Sequence, residues 1–404
     1  MKKLMTFALC FAAVGSMSAQ KANVKAAKDL SGKTDKIEEA RNLIKQAIEN
    51  PETANDAETY YIAGKIEFDA FDKELTNAMI NPASADNVKM GNELLNGYKQ
   101  FVKALPLDSL PNEKGKIKPR FSKDILSKMK GHANDYFKAG ADFFNANKYY
   151  PEAYESFMIY ADMPEQPYMK AEKLELPDAD RGTAYFNAGL AAYSGNEVLK
   201  SADAFRKSRG VGYDDKQAFI YEIACWQAVA QRDSTMEQTA KEKIMQVAEE
   251  GDKKYGIAEP IFVNNIVNFM VTDNKFDAAL AKVNELIAAN PDNAGLYGLR
   301  GFVNDRKGDD DASVEDYRKC VTLPGVDFET LKNAAKKIYR VGADKWNSIE
   351  GNGEVARAAR QDVKTNYFEA AKAISEQAKA INSSDSDLDY LIENIDYALT
   401  TFFN

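Results

Sequence analysis

Two consecutive stretches decide the fold of this chain: VNNIVNFMVTDNKFDAALAKVNELIAANP at 263–291 and YGLRGFVNDRKGDDDASVEDYRKCVTLP at 297–324. They match at a constant spacing of 34 residues. The matched positions are Val263 with Tyr297, Val267 with Gly301, Met270 with Asn304, Ala279 with Ser313, Val283 with Tyr317, and Leu286 with Cys320. Pro291 closes the first copy, and Pro324 closes the second one place early. A fixed period of this length indicates a repeat architecture.

The pattern has a simple physical basis in helix packing. A bulky residue, small residues three and four places later, and another bulky residue share one helix face, so a neighbouring helix can approach closely at the small positions. The same pattern recurs upstream, in Tyr60/Ala63/Gly64, Tyr136/Ala139/Gly140, Tyr185/Ala188/Gly189 and Tyr221/Ala224/Cys225. Partner helices are predicted around Gly97/Phe101/Ala104, Ala153/Phe157/Tyr160 and Ser201/Phe205/Ser208.

These positions resemble the tetratricopeptide repeat (TPR) consensus over most of the chain, with length and spacing both matching from about 258 to 324. The resemblance implies an all-α, right-handed superhelical α-solenoid of about seven TPR-like helix pairs, whose first helices line a concave groove. Members of such families bind other molecules in this groove. The resemblance therefore favours a non-catalytic scaffold or adaptor for a protein or peptide, without a cofactor.

Composition shifts divide the chain into segments. A signal peptide is expected at 1–19, degenerate N-terminal pairs at 20–105, a Pro- and Lys-rich linker at 106–122, the main array at 123–325 with an insertion at 164–180, and a degenerate pair with a capping helix at 326–404. Two finer expectations concern the ends of the array. Ala40, Ile44 and Ala47 are predicted to lie on a second helix without a partner, and the segment 345–360 is predicted to lengthen a turn.

The N-terminus has the layout of a secretory signal, because Lys2 and Lys3 precede an apolar run and small residues that end at Ala19. The run is too short to cross a bilayer, which takes about 20 residues. A lipoprotein alternative would use Cys10, which lies inside the run. The signal resembles those of exported proteins of Gram-negative bacteria, Bacteroidota especially, which predicts a periplasmic protein or, alternatively, one associated with the outer membrane.

Charge and cysteine content exclude other classes. Removing Lys2 and Lys3 takes the net charge from -9 to -11, and no basic stripe marks a surface for nucleic acid. Only Cys225 and Cys320 remain after processing, at small-residue packing positions, so we expect buried thiols rather than a disulfide framework.

Helical spacing names the residues of the expected groove. Positions one, five, eight and nine after the first bulky residue point to Phe137, Phe144, Phe186, Tyr193, Trp226, Asn264, Asn268, Phe302 and Arg306. The Lys and Asn set that clamps a terminal carboxylate in some TPR proteins is not carried over, since most of these positions are aromatic here. Aromatic positions would suit an apolar peptide or sugar rings. Alternatively, the rings pack between adjacent helices.

Catalytic motifs are weak. His132 is the only histidine and is expected to be an ordinary residue at a helix start, and no G-x-S-x-G elbow occurs. Asp309–Asp311 is expected to cap a helix. Two alternatives to a scaffold stay open: a glycan-binding protein like the helical SusD type, and an enzyme whose site lies in the insertions at 164–180 or 345–360. The C-terminal Phe402 and Phe403 either fold back on the array or form an apolar hook.

Overall fold

The computed structural model describes residues 21–33, 35–112 and 114–403. Within these residues the chain is helical, and its β-pairing is limited to an isolated bridge between Pro111 and Ile117. The predicted all-α class of tandem TPR-like helix pairs is confirmed. No helix in this part of the chain is long and apolar enough to span a membrane. The predicted signal peptide, including Cys10, lies outside the described residues.

The chain forms two compact units, one ending at Ile244 and one beginning at Met245. The first unit begins with a helix at 21–31, which we call α1. It continues with α2 (Ile37–Glu49), α3 (Ala57–Ile80), α4 (Asn87–Asp108), α5 (Ser122–Gly131), α6 (Ala133–Asn145), α7 (Tyr150–Asp162), α8 (Asp178–Ser194), α9 (Val198–Gly210) and α10 (Lys216–Arg232). Helix α11 (Glu237–Tyr255) contains the boundary. The segment boundaries predicted from composition stay a prediction.

The second unit contains, in its described residues, the C-terminal part of α11 and eight further helices. Its elements are α12 (Pro260–Thr272), α13 (Phe276–Ala289), α14 (Ala294–Lys307), α15 (Asp310–Val321), α16 (Phe328–Asn347), α17 (Glu354–Val363), α18 (Ala370–Ile381) and α19 (Ser386–Phe402). A π-helical segment, Lys364–Glu369, joins α17 to α18. Helix α19 begins where the sequence predicts a capping helix.

Helix starts follow from side-chain capping. Asp309 accepts a hydrogen bond from the backbone N–H of Ala312 at the start of α15, as predicted. An aspartate or asparagine in the same position caps six other α-helices: Asp56, Asp86, Asp215, Asn293, Asp327 and Asp385. Such oxygens satisfy backbone donors that have no partner inside the helix. Part of the acidic character of the chain therefore serves helix initiation.

In four of the helix pairs, an aromatic ring of the second helix packs onto a glycine of the first helix. A Cβ atom added to Gly140 would lie 2.8 Å from the Phe157 ring, and one on Gly189 would lie 2.6 Å from the Phe205 ring. The same relation joins Gly64 to Phe101, and a Cβ atom on Gly301 would lie 3.3 Å from the Tyr317 ring. Distances below 3.0 Å leave no room for a side chain, so the small residue is required by the approach of the two helices.

A buried hydroxyl adds a polar tie to two of these pairs. Ser201 donates to the carbonyl oxygen of Gly189, and Ser313 donates to that of Gly301, each at 2.8 Å. Cys225 and Cys320 are buried free thiols, as predicted. Burial raises the pKa of each thiol to about 11, so both remain protonated at neutral pH.

Two expectations about the ends of the array are wrong. The helix carrying Ala40 and Ile44 has a partner, because Val24 and Ala27 of α1 belong to the same hydrophobic cluster. Most of the apolar residues of α1 are alanines among lysines, which weakens its amphipathic pattern. The turn predicted at 345–360 is also shorter, since α16 ends at Asn347 and α17 begins at Glu354.

The C-terminal phenylalanines fold back on the helices of the second unit. Phe402 stacks on the Trp346 ring with 5.5 Å between the ring centroids. Phe403 lies 4.5 Å from Trp346 and 5.4 Å from Phe368 by the same measure. Of the two arrangements left open by the sequence, the structure therefore has the folded-back one, which covers the apolar face of α16.

Candidate functional site

Two of the predicted groove residues in the first unit belong to the α6/α7 pair. Phe137 is half-buried, and its ring centroid lies 5.4 Å from those of both Phe157 and Tyr160. Phe144 is half-buried beside Tyr150, at 5.7 Å. Both rings contact aromatic side chains of α7, the second helix of their own pair.

The other predicted residues of this unit lie on α8 and α10. Phe186 contacts Phe205 at 5.4 Å and Tyr213 at 5.2 Å between ring centroids. Trp226 packs against the same cluster, and its Nε1 is buried without a hydrogen-bond partner among the described residues. Tyr193 is 49% exposed. The role of these five aromatic residues in binding stays a prediction, and the packing shown here gives four of them a structural role.

The structure brings Asn264, Asn268 and Phe302 together in one cavity of the second unit, with a volume of about 440 Å³. The cavity lies between α12, α14 and α16, which are the first helices of three successive pairs. Its other lining residues are Ile257, Pro260, Val263, Asn293, Gly295, Leu296, Gly298, Leu299, Tyr317, Gly325, Asp327, Thr330 and Asn333. This is the surface that repeat packing assigns to the groove.

Three exposed asparagines give the cavity its polar character. The side-chain amides of Asn264, Asn268 and Asn333 form no hydrogen bond with any residue that the structure describes. Each amide offers two N–H donors and a carbonyl acceptor without carrying charge. Asp327 is the one carboxylate of the lining, and it is already engaged, since it accepts bonds from the backbone N–H and the hydroxyl of Thr330 at 2.9 and 2.7 Å.

Arg306, the fourth predicted residue of this unit, lies one helical turn beyond Phe302. Its guanidinium carbon is 5.4 Å from the centroid of the Phe302 ring. Arg306 is exposed, and it forms no ion pair with any side chain in the described part of the chain. The cavity therefore combines neutral amides inside with an uncommitted cation beside its aromatic wall.

Sequence reasoning missed the contribution of α16. Its residues Leu331, Ala334, Ala335 and Ile338 are buried and have the bulky-small-small-bulky spacing of a first helix. The 34-residue period would have identified α16 as a first helix, because Leu331 follows Tyr297 by 34 residues. Asn333 itself lies two places after Leu331, a position that the groove rule of one, five, eight and nine places does not include.

The insertion at 164–180 is partly structural. Met169 is fully buried in the core of the first unit, and the hydroxyl groups of Tyr168 and Tyr98 lie 2.9 Å apart in a hydrogen bond between the insertion and α4. The insertion is therefore tied to the helices beneath it.

His132 lies between α5 and α6 and has two carboxylate partners. Its Nδ1 is 2.8 Å from Asp135 and its Nε2 is 3.3 Å from Asp72. The ring also packs against Phe68 and Phe71. This histidine is more extensively anchored than an ordinary residue at a helix start, and its contacts join α3 to the α5–α6 turn.

The comparisons with known proteins show a similarity of fold and nothing further. No protein-family model matches the sequence, and no curated protein matches it. Among solved structures, the chain is similar to yeast Tom70, at 14% identity over 95% of this chain and 97% of that one, with a TM-score of 0.27. It is also similar to the APC/C hetero-tetramer Cut9-Hcn1, at 10% identity over 94% and 84%, with a TM-score of 0.31. A third is the complex of the TPR2AB domain of yeast Sti1 with pHSP90, at 12% over 81% and 98%, with a TM-score of 0.23.

Proposed function

We propose that this protein is a non-catalytic scaffold that holds an extended segment of a partner protein in the cavity between α12, α14 and α16. The observation that carries the proposal is the set of three asparagine amides, Asn264, Asn268 and Asn333, which face the cavity without partners in the described part of the chain. An exposed extended main chain presents both donors and acceptors. Side-chain amides supply both in return.

The spacing of the amides suits such a segment. Asn264 and Asn268 are four residues apart on α12, about 6.0 Å along the helix axis. Backbone groups that point to the same side of an extended chain recur about every 6.6 Å, or two residues. Partly exposed apolar side chains, Ile257, Leu299 and Phe302, supply the contacts that a peptide side chain needs. A neutral main chain with apolar side chains therefore matches the cavity.

A glycan is the second candidate, and the same lining favours it in one respect. Neutral amides beside the Phe302 ring could bind sugar hydroxyl groups while the ring contacts a sugar face. Two aromatic residues line the cavity, Phe302 and Tyr317, and Tyr317 is buried. A polymeric sugar with successive stacked rings is therefore less well matched than a peptide.

Selection from a displayed library of random dodecapeptides is the direct test. Peptides enriched on the full chain are expected to bind the Asn264→Ala/Asn268→Ala variant about tenfold more weakly, because each neutral hydrogen bond contributes about 0.5–1.5 kcal/mol. The affinities would be measured by fluorescence anisotropy with labelled synthetic peptides.

The matched control for the peptide experiment is Asn134→Ala, which removes an exposed asparagine of α6 in the first unit. It should leave the affinities unchanged. Equal affinity of all three proteins would refute binding in the cavity. Retardation by a polysaccharide in affinity electrophoresis, abolished by the double asparagine substitution, would instead assign the cavity to glycan binding.

We further propose that the protein acts in the periplasm, in the assembly of envelope or secretion machinery, with an outer-membrane-associated form as the alternative. The support is the signal-like layout of residues 1–19. Expression of the full-length chain in a Gram-negative host should yield a periplasmic product that begins at Gln20, as read by N-terminal sequencing after osmotic shock. An uncleaved product in the cytoplasmic fraction would contradict export.

A further inference from the structure

Arg306 is an uncommitted cation held at the aromatic wall of the cavity. The guanidinium lies over the Phe302 ring at 5.4 Å from its centroid. An exposed cation–π contact of this kind contributes about 0.5–1 kcal/mol, enough to bias where the side chain lies. Nearby charges in the same unit are paired among themselves: Asp305 with Lys337 and Arg340, and Lys307 with Asp277. Arg306 is therefore available to a bound anion.

The interior of the cavity does not suit a negative charge. The polar side chains that line it are neutral amides, the hydroxyl-bearing Thr330 and Tyr317, and the carboxylate of Asp327. Asp327 would repel a second carboxylate brought into the same space, since like charges at close range are unfavourable. An acidic group on a bound segment is therefore expected to bind Arg306, beside Phe302.

From this arrangement we infer a sequence preference for the bound segment, and the inference rests on the proposed function. The structure assigns to the partner an apolar side chain that contacts Phe302 and Leu299, and an acidic side chain that binds Arg306. The ring centroid and the guanidinium are 5.4 Å apart, close to the spacing of about 6.6 Å between side chains on the same face of an extended chain. The apolar and the acidic residue are therefore two positions apart, with any residue between them.

The test is a parallel selection from the random dodecapeptide library on the full chain, on Arg306→Glu and on Arg357→Glu. Arg357 is an exposed arginine of α17 without a side-chain partner in the described residues, so it controls for the change in net charge. We expect an apolar-x-acidic pattern from the full chain and from Arg357→Glu, and an apolar-x-basic pattern from Arg306→Glu. Unchanged circular dichroism and melting temperature would show that the exposed substitutions leave the fold intact.

Affinities of matched synthetic peptides add a second measurement. Replacing the acidic residue of an enriched peptide by its amide should weaken binding to the full chain about three- to fivefold, as expected for an exposed ion pair. The loss should shrink at high salt and be absent for Arg306→Gln. Amidation of the peptide's C-terminus should have no effect, because the carboxylate belongs to a side chain.

The outcomes separate this inference from the proposed function. Two outcomes would overturn the inference and leave the proposed function standing. In the first, the enriched peptides need Asn264 and Asn268 but show no acidic preference. In the second, the acidic preference is the same on Arg306→Glu. Dependence on a free C-terminal carboxylate would also overturn it. No enrichment of any peptide would reject the proposed function and the inference together.

Discussion

Replacing Phe205 by alanine should lower the free energy of unfolding by about 3–5 kcal/mol, the usual cost of truncating a buried phenylalanine. The side chain is fully buried. Its ring covers Gly189 of α8 so closely that a Cβ atom there would lie 2.6 Å from it. It also contacts Phe186 and Tyr221, each at 5.4 Å between ring centroids. The helices around it meet at this ring, so they cannot easily collapse into the space left behind.

Urea unfolding followed by circular dichroism at 222 nm would measure the effect of the Phe205 substitution. Tyr193→Ala is the control, because this aromatic residue of α8 is 49% exposed. Its change should stay within about 0.5 kcal/mol, as for most surface substitutions. Equal losses in the two variants would contradict the glycine–ring account of how α8 and α9 pack.

Arg209→Met should also be severe, with an expected loss of about 3–5 kcal/mol, because removing the cation of a buried ion pair weakens the compensation of a buried carboxylate. The side chains of Arg209 and Glu222 are 9% and 2% exposed, and their charged atoms lie 2.7 Å apart. Glu222 lies on α10 and Arg209 on α9. The pair therefore joins neighbouring repeats at a place where water cannot replace the lost partner.

The double variant Arg209→Met/Glu222→Leu tests the stated cause. If the penalty comes from a stranded carboxylate, removing Glu222 as well should restore most of the stability, since buried pairs replaced by apolar residues are often tolerated. Lys307→Met, which breaks an exposed pair with Asp277, should cost at most about 1 kcal/mol. A double variant as unstable as Arg209→Met alone would show that lost packing, and not charge, is responsible. Thermal and urea unfolding would both report this.

The repeat positions were predictable from sequence because they depend on local spacing. Glycine stands where a ring of the next helix approaches too closely for a Cβ atom, as at Gly140 opposite Phe157. This requirement produces a periodic pattern of small residues in the sequence. Helix α1 has a weaker pattern, because it contributes only a few apolar side chains such as Val24 and Ala27 to the core. The sequence pattern therefore did not predict this helix.

The groove residues were harder to predict because helical spacing predicts which side of a helix a residue faces, but not what surrounds it there. The same rule selected Phe186 and Asn268. Phe186 is half-buried among rings of α9 and α10, while Asn268 is exposed in a cavity. Whether a residue on that side meets a neighbouring helix or open space depends on how adjacent pairs are packed, which no single helix encodes.

The sequence by itself determined the all-α class, the period of 34 residues, the small-residue positions where helices meet and the burial of Cys225 and Cys320. Each of these follows from residue spacing that recurs at fixed distances along the chain. Only the tertiary structure decided that Asn264, Asn268, Phe302 and Asn333 share one cavity and that Arg306 stands unpaired beside it. Those residues come from three separate helix pairs, so their meeting depends on packing between repeats.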